Sequence, residues 1–286
     1  MSEIIKAVIY GIVEGITEWL PVSSTGHLIL VSVLIPFTAS AGGIADVDAF
    51  FEMFEVVIQL GAILAVVLLF WKQIWPFALT KKERQGRTGA AAYLKKDIWI
   101  LWFKILVSCV PAAVIGILFD DELDALFYNP VSVSSALIVF GIAFIVIENR
   151  NRNRTPKVTG LSQITYQTAL LIGVFQVIAA VFPGTSRSGA TIVGALLIGV
   201  SRTVAAEYTF FLAIPVMFGA SLLKLLKFGF AFTGTEFLLL TVGMAVSFAV
   251  SVFALRFLLG YVRKHDFRVF GWYRIALGIV VLLCLG

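Results

Sequence analysis

Two short stretches of this sequence carry acidic, hydroxyl and basic side chains inside otherwise apolar surroundings. The first covers residues 11–27 and reads Gly-Ile-Val-Glu-Gly-Ile-Thr-Glu-Trp-Leu-Pro-Val-Ser-Ser-Thr-Gly-His. The second covers residues 183–191 and reads Pro-Gly-Thr-Ser-Arg-Ser-Gly-Ala-Thr. Charged side chains are costly inside a membrane, so each one in such a stretch is a candidate functional residue.

Two glutamates in the first stretch form a candidate acidic pair. Glu14 and Glu18 are four residues apart, which places both carboxylates on one face of a helix. Neighbouring carboxylates can bind a divalent cation, Mg²⁺ or Ca²⁺, through oxygen ligands, or they can divide into an acid and a base. The alternative is a pair of glutamates at the membrane surface. The break at Pro21 and the hydroxyl cluster after it favour the functional interpretation.

A cluster of hydroxyl side chains and a histidine follow that proline. Ser23, Ser24 and Thr25 are followed by Gly26 and His27. A serine near a histidine is the minimum for an activated nucleophile. Two other interpretations stay open: the hydroxyls cap the helix that follows, and His27 is a hydrogen-bonded core residue.

The second stretch is a candidate anion site built around Arg187. A guanidinium binds phosphate oxygens in pairs, and the N-terminus of the predicted helix adds partial positive charge. The backbone and hydroxyl groups around it complete the candidate site: Gly184, Thr185, Ser186, Ser188 and Thr191. A buried ion pair of Arg187 with Glu14 or Glu18 is the alternative. Arg202 is either a second phosphate contact or an anchor at the cytoplasmic side.

Together the two stretches predict chemistry on a phosphate ester or anhydride with a lipid tail. Carboxylates, hydroxyls, a histidine and an arginine suit phosphoryl transfer, in which positioning and charge neutralisation supply most of the catalysis.

Apolar helices must position these residues. The chain is 60% hydrophobic and 14% charged, whereas a soluble domain carries about 25% charged residues. The sequence therefore predicts an all-α integral membrane protein. Its apolar runs approach the roughly 20 residues that a crossing needs. They predict six transmembrane helices, at about 53–71, 98–118, 131–148, 205–226, 236–257 and 268–286.

Basic residues give the orientation of these crossings. They cluster in Lys72–Asp97, Asn149–Lys157 and Arg256–Arg274, which we place in the cytoplasm. We place Val31–Glu52, Asp120–Pro130 and the Phe228–Glu236 turn outside. Because the basic residues are explained as orientation signals, the net charge of +5 does not indicate nucleic-acid binding.

The two polar stretches predict re-entrant helical hairpins, at about residues 4–36 and 162–200. They align without gaps at an offset of 162 residues, with Gly11 on Gly173, Glu14 on Gln176, Pro21 on Pro183 and Ser24 on Ser186. Three crossings follow each hairpin, so the halves 1–148 and 160–286 must insert in opposite orientations. The prediction is one membrane domain, 1–286, with an inverted repeat whose broken helices meet near the midplane.

The segments Glu14–His27 and Pro183–Thr191 resemble the two signature motifs of undecaprenyl-diphosphate phosphatases of the bacitracin-resistance type. The resemblance covers essentially the whole chain. It implies hydrolysis of undecaprenyl diphosphate to undecaprenyl phosphate and inorganic phosphate, which recycles the lipid carrier for cell-wall synthesis. It also implies a divalent cation, Mg²⁺ or Ca²⁺, and the bacterial plasma (inner) membrane, with an active site that opens to the periplasmic face.

The resemblance implies a set of functional residues, and our mechanistic hypothesis assigns their roles. The functional residues that it implies are Glu14, Glu18, Ser24, His27 and Arg187, supported by Ser23, Thr25, Ser186, Ser188 and Thr191. We expect Arg187 and the amides after Pro183 to hold the diphosphate, and the two glutamates to hold the cation. Ser24 then attacks the terminal phosphorus, with His27 as base or as proton donor. In a competing version, a glutamate orients an attacking water.

The expected partners follow from the resemblance and from the charge pattern of the loops. We expect the lipid substrate, membrane lipids and no nucleic acid, and we leave a homodimer open. The alternative function is a secondary transporter or flippase of a polyprenyl phosphate lipid, because inverted repeats with polar loops at the midplane are also typical of transporters.

Overall fold

A computed structural model describes residues 1–39, 43–80, 83 and 89–285. In these ranges the chain is helical, and pairing of extended segments is limited to isolated bridges. The α-helices, numbered in chain order, are α1 Glu3–Thr17, α2 Ser24–Leu34, α3 Val47–Val57, α4 Gln59–Ile74, α5 Lys96–Phe127, α6 Pro130–Asn151, α7 Tyr166–Val181, α8 Arg187–Leu197, α9 Arg202–Phe228, α10 Gly234–Val262 and α11 Arg268–Leu285.

Six helical stretches of the described chain are long and apolar enough to cross a membrane. They are Val47–Ile74, Lys96–Phe119, Pro130–Asn151, Arg202–Phe228, Gly234–Val262 and Arg268–Leu285. Each coincides with one predicted crossing, so the prediction of six apolar crossing helices in a multi-pass membrane protein is confirmed. The helices α1, α2, α7 and α8 are shorter, with 15, 11, 16 and 11 residues.

Several predicted loops are wrong in extent, because helices continue beyond the apolar runs. In the predicted external loop 31–52, α2 continues to Leu34 and α3 begins at Val47, capped by the Asp46 side chain on the Ala49 amide. The predicted loop Asp120–Pro130 is helical as far as Phe127. Polar residues stop an apolar run without stopping a helix. The basic residues Lys81, Lys82, Arg84 and Arg87 lie outside the described residues.

Three helix pairs form the framework: α1 packs along α10, α7 along α5, and α6 along α11. Small residues bring their backbones together, as is typical between membrane helices. A Cβ atom added at Gly173 on α7 would lie 2.4 Å from the Ser108 carbonyl oxygen. Gly141 and Gly271 face each other, and a Cβ on either would lie 2.7 Å from the other's carbonyl oxygen.

The short helix α8 lies inside this framework. It contacts α6, α7 and α9, and every residue from Ser188 to Leu196 is buried. Because the body of α8 is buried among these three helices, the position of its first residue, Arg187, is fixed by their packing.

Candidate active site

The two hairpin turns end in serines with the same unusual backbone conformation. Ser23 has φ 76° and Ser186 has φ 67°, and no other non-glycine residue of the described chain has a positive φ. Each serine caps the short helix that follows, since Ser23 Oγ accepts from the Gly26 amide at 3.3 Å and Ser186 Oγ from the Gly189 amide at 3.2 Å. The capping interpretation of the hydroxyls after Pro21 is confirmed at Ser23, and the cap at Ser186 was not predicted. The strained backbone costs about 1–3 kcal/mol per residue and is typical of functional sites.

The matching caps correct the alignment of the two hairpins. Ser23 and Ser186 are 163 residues apart, so the gapless offset of 162 is wrong after the prolines. The second turn contains one residue more, which the positive φ of Gly184 (89°) accommodates. A Cβ at that glycine would lie 2.6 Å from the Val133 carbonyl oxygen. Ser24 therefore corresponds to Arg187, and not to Ser186.

Ser24 and Arg187, the first residues of α2 and α8, meet at the carboxylate of Glu18. Ser24 Oγ donates to Glu18 Oε2 at 2.8 Å, and Arg187 Nη2 donates to Glu18 Oε1 at 3.0 Å. The side chains of Arg187 and Glu18 are only 12% and 9% exposed. The ion pair that the alternative interpretation of Arg187 required is thus present. Arg187 Nη1 donates to the Thr209 carbonyl oxygen at 2.9 Å, while its buried Nε has no hydrogen-bond partner among the described residues.

Hydroxyl groups of the second hairpin support the Arg187 backbone. Thr191 Oγ1 donates to the Arg187 carbonyl oxygen at 2.9 Å and lies 2.9 Å from Thr209 Oγ1. Ser186 Oγ and Ser188 Oγ are hydrogen-bonded to each other at 3.0 Å. The buried Thr185 Oγ1 has no partner in the described part of the chain. Thr209 is a site residue that the sequence did not indicate, because it lies in an ordinary apolar helix.

His27 lies beside different groups from those predicted. Its Nδ1 is 2.7 Å from the Ser23 carbonyl oxygen, and its Nε2 is 2.7 Å from the Tyr273 hydroxyl. The imidazole also stacks on the Tyr273 ring, with 5.6 Å between centroids. Since both ring nitrogens have these partners and Ser24 donates to Glu18, the structure does not bring His27 and Ser24 together as base and nucleophile.

Glu14 lies four residues before Glu18 on α1, and Gln176, with which the sequence alignment pairs it, lies on α7. The Glu14 side chain is fully buried, and Gln176 is 2% exposed. None of their side-chain oxygens or nitrogens has a hydrogen-bond partner among the described residues. Buried carboxylate and amide oxygens without partners are the hard donors that Mg²⁺ and Ca²⁺ prefer. No group of three or more His, Cys, Asp or Glu side chains able to hold a metal occurs in the described residues.

Arg274 on α11 joins the two turns. Its Nη1 donates to the Pro21 carbonyl oxygen at 3.3 Å, and its Nη2 donates to the carbonyl oxygens of Gly184 and Thr185 at 3.0 and 2.7 Å. The side chain is fully buried. The assignment of this arginine to a cytoplasmic loop is therefore wrong. Arg274 lies within an apolar run, between Phe270 and Leu277, and this position could have indicated a buried arginine.

A cavity of about 480 Å³ opens onto this site. Ser24, Thr25, Gln176 and Arg187 line its base. Apolar residues of α5 and α9, including Ala112 and Val216, line its walls, and Lys224 and Lys227 lie at the other end. We call this space the active-site cavity. The Arg187 guanidinium and the largely apolar lining suit an anionic headgroup with a hydrocarbon tail.

Comparison with known proteins gives one family. The model described as bacitracin resistance protein BacA matches residues 7–280. The chain is 62% identical over 283 residues to an undecaprenyl-diphosphatase of Desulfitobacterium hafniense, covering 99% of this chain and 96% of that protein. It is 59% identical over 281 residues to an undecaprenyl-diphosphatase of Enterococcus faecalis, covering 98% and 96%. The predicted family resemblance is confirmed, and the chain belongs to the bacitracin resistance protein BacA family.

Proposed function

We propose that this chain hydrolyses undecaprenyl diphosphate to undecaprenyl phosphate and inorganic phosphate. The observation that carries the proposal is the meeting of Ser24 and Arg187 on Glu18 at the base of a cavity with apolar walls. The relatives named undecaprenyl-diphosphatase, 54–62% identical to this chain, favour hydrolysis over transport of the same lipid.

Arg187 holds the terminal phosphate. Its guanidinium lines the cavity, and its Nε is without a partner in the described chain. A diphosphate entering the cavity competes with Glu18 for the Nη2 group, because a guanidinium binds phosphate in the same forked geometry as carboxylate. Substrate binding therefore loosens the ion pair and leaves Glu18 bonded to Ser24.

Ser24 is the proposed nucleophile, and Glu18 accepts its proton. The Ser24 oxygen forms a bond to the terminal phosphorus while the bond from that phosphorus to the bridging oxygen breaks. Undecaprenyl phosphate leaves with the bridging oxygen, and the Ser24 proton passes to Glu18 Oε2, which already accepts it in a hydrogen bond of 2.8 Å. A water molecule then hydrolyses the phosphoserine.

His27 has a less direct role in this proposal. Its hydrogen bond to the carbonyl oxygen of Ser23 holds the residue before Ser24. The earlier expectation of His27 as base for Ser24 would need the ring to leave Ser23 and Tyr273. Direct attack by a water that Glu18 orients is the competing mechanism.

Glu14 and Glu18, with the Gln176 amide oxygen, are the residues that would hold a divalent cation. The buried oxygens of Glu14 and Gln176, which have no hydrogen-bond partner among the described residues, fit such an ion. When bound, Mg²⁺ or Ca²⁺ supplies positive charge that neutralises diphosphate oxygens.

The overall arrangement that we propose is one membrane domain, 1–286, with an inverted repeat of residues 1–148 and 160–286. The short pairs α1–α2 and α7–α8 are its re-entrant hairpins. In such a repeat, α1 corresponds to α7, α10 to α5, and α6 to α11. The contact between α1 and α10 then has its equivalent in the contact between α7 and α5, and α6 and α11 contact each other. The membrane is the bacterial inner membrane, and the active-site cavity opens to the periplasm, on the side away from the basic loops.

The decisive experiment uses purified protein and a prenyl diphosphate with a radioactive terminal phosphate. Acid quenching of the wild type should trap the label as phosphoserine at Ser24. Ser24→Ala should lose both the trapped label and roughly 10³-fold or more in phosphate release. If Ser24→Ala keeps near-normal turnover while Glu18→Gln abolishes it, direct water attack replaces the serine mechanism.

A further inference from the structure

A second cavity, of about 430 Å³, lies at the opposite end of α9 from the active-site cavity. Its walls are the end of α6, the segment 152–157, the end of α8 and the first turn of α9. Helix α9 runs from Arg202 at this cavity to Lys224 at the other, which is roughly 33 Å at 1.5 Å per residue. The two cavities share no lining residue.

The second cavity is lined by an excess of positive charge. Its basic residues are Arg150, Arg152, Arg154, Lys157 and Arg202. The carboxylate in the lining, Glu148, is already engaged: its Oε1 accepts from Arg202 Nε at 2.9 Å and from the Phe267 amide at 3.1 Å. The other four basic side chains make no hydrogen bond or ion pair with a described residue. Four cations around one concavity therefore lack an anion. We call this space the basic cavity.

Backbone hydrogen bonds fix the shape of the basic cavity. The amides of Lys157 and Val158 donate to the Gly199 carbonyl oxygen at 2.8 and 3.2 Å, and the Ser201 amide donates to the Val158 carbonyl oxygen at 2.9 Å. Asn151 Nδ2 donates to the Leu196 carbonyl oxygen at 2.9 Å. The basic segment is thus held against the junction of α8 and α9.

The helix at one wall adds to the attraction for anions. Ser201, Arg202 and Thr203, at the start of the 27-residue α9, line the cavity. The partial positive charge of a helix N-terminus favours a bound phosphate. This end of the helix and the four unpartnered cations act on the same space.

The cavity also has an apolar edge. Leu197, which is 38% exposed, and Ile198 and Val262 lie among its lining residues. A basic pocket beside apolar helix surface is the arrangement that binds the headgroups of anionic membrane lipids.

We propose that the basic cavity binds a phosphate-bearing anion, distinct from the substrate in the active-site cavity. An anionic phospholipid headgroup and free inorganic phosphate share this chemistry, and the apolar edge favours the lipid. By the charge pattern of the loops, this ligand binds at the face of the membrane opposite the active-site opening.

The test measures binding to the full-length chain, stripped of lipid in detergent, by native mass spectrometry and by titration. The probes are dioctanoyl phosphatidylglycerol, dioctanoyl phosphatidylcholine and inorganic phosphate. The test variant is Arg152→Gln/Arg154→Gln/Lys157→Gln. The control Lys72→Gln/Lys96→Gln/Lys264→Gln removes the same charge from exposed positions outside the lining. Prenyl diphosphate hydrolysis by each variant verifies folding.

Saturable binding of phosphatidylglycerol that weakens about tenfold or more in the test variant, and less than about twofold in the control, supports a lipid headgroup in the basic cavity. The same pattern with inorganic phosphate alone supports a free phosphate ion. Equal loss in both variants, or equal binding of phosphatidylcholine and phosphatidylglycerol, overturns the proposal.

Discussion

Glu18 connects the chemistry of the two hairpins, because its two carboxylate oxygens accept from residues 163 positions apart, Ser24 and Arg187. The spacing Glu14-x-x-x-Glu18 and the hydroxyl cluster identified the participants. Their contacts were harder to predict, since they depend on which residue of each turn becomes the first of its helix. An error of one residue in the alignment of the two turns pairs Ser24 with Ser186 instead of Arg187.

Arg274 should be needed to hold both turns in place. In Arg274→Lys, one ammonium cannot reach the carbonyl oxygens of Pro21, Gly184 and Thr185 in the positions that the guanidinium occupies. We expect kcat to fall about 10- to 100-fold, since small misplacements of reacting groups are costly. The unfolding free energy should fall by about 2–4 kcal/mol.

Steady-state kinetics and thermal unfolding of purified protein check this expectation. Arg268→Lys is the control, because Arg268 forms its ion pair with Asp266 at a partly exposed position, and exposed ion pairs contribute little to stability. A wild-type kcat for Arg274→Lys, measured well below its unfolding temperature, would show that the arginine does not position the turns.

At the scale of elements, the strained serines should respond differently to glycine and alanine. Ser186→Gly loses the cap but relieves the positive φ, whereas Ser186→Ala loses the cap and keeps the strain. We expect the free energy of unfolding of Ser186→Ala to be lower than that of Ser186→Gly by about 1–2 kcal/mol. Thermal unfolding of both variants measures the difference.

Ser201 provides the comparison for this prediction. It caps α9 with an ordinary φ of −67°. The difference in unfolding free energy between the glycine and alanine variants should therefore be smaller at Ser201 than at Ser186 by about 1 kcal/mol. An equal preference at Ser186 and Ser201 would mean that the positive φ stores no strain.

Helix contact through glycine gives a second prediction at this scale. Gly173→Ala places a methyl group 2.4 Å from the Ser108 carbonyl oxygen, so α7 must move away from α5. A loss of about 1–3 kcal/mol in unfolding free energy is expected. Gly260→Ala meets no atom within 4 Å and should be neutral or stabilising by up to about 1 kcal/mol. Unchanged stability in Gly173→Ala would indicate that the α5–α7 contact is loose.

At the scale of the whole molecule, the crossing helices were the most predictable feature. Length and apolar composition decide whether a helix can cross, and both are local properties. The ends of the helices were predicted less well, because α5 and α10 continue through polar residues to Phe127 and Val262. Arg274 was misplaced for a related reason, since counting charges near a loop cannot distinguish an orientation signal from a buried guanidinium.

The proposed orientation predicts the labelling of single cysteines in intact cells. In a Cys109→Ser/Cys284→Ser background, a membrane-impermeant maleimide should label Phe230→Cys directly, because the α9–α10 turn is expected outside. Lys264→Cys, in a basic loop, should be labelled only after permeabilisation. Both positions are exposed. The reverse pattern would invert the topology and place the active-site cavity on the cytoplasmic side.

The hydrogen bonds by which Arg274 joins the two turns have a consequence for biosynthesis. Glu18 leaves the ribosome 256 residues before Arg274, which is roughly 10–50 s at bacterial rates of translation. Arg187 follows Glu18 after 169 residues, so the acidic turn first lacks this partner and then, until the last helix is made, lacks the Arg274 hydrogen bonds. Synthesis interrupted before Arg274 is made would thus yield a protein whose acidic and basic turns are not joined, so the site is completed only at the end of translation.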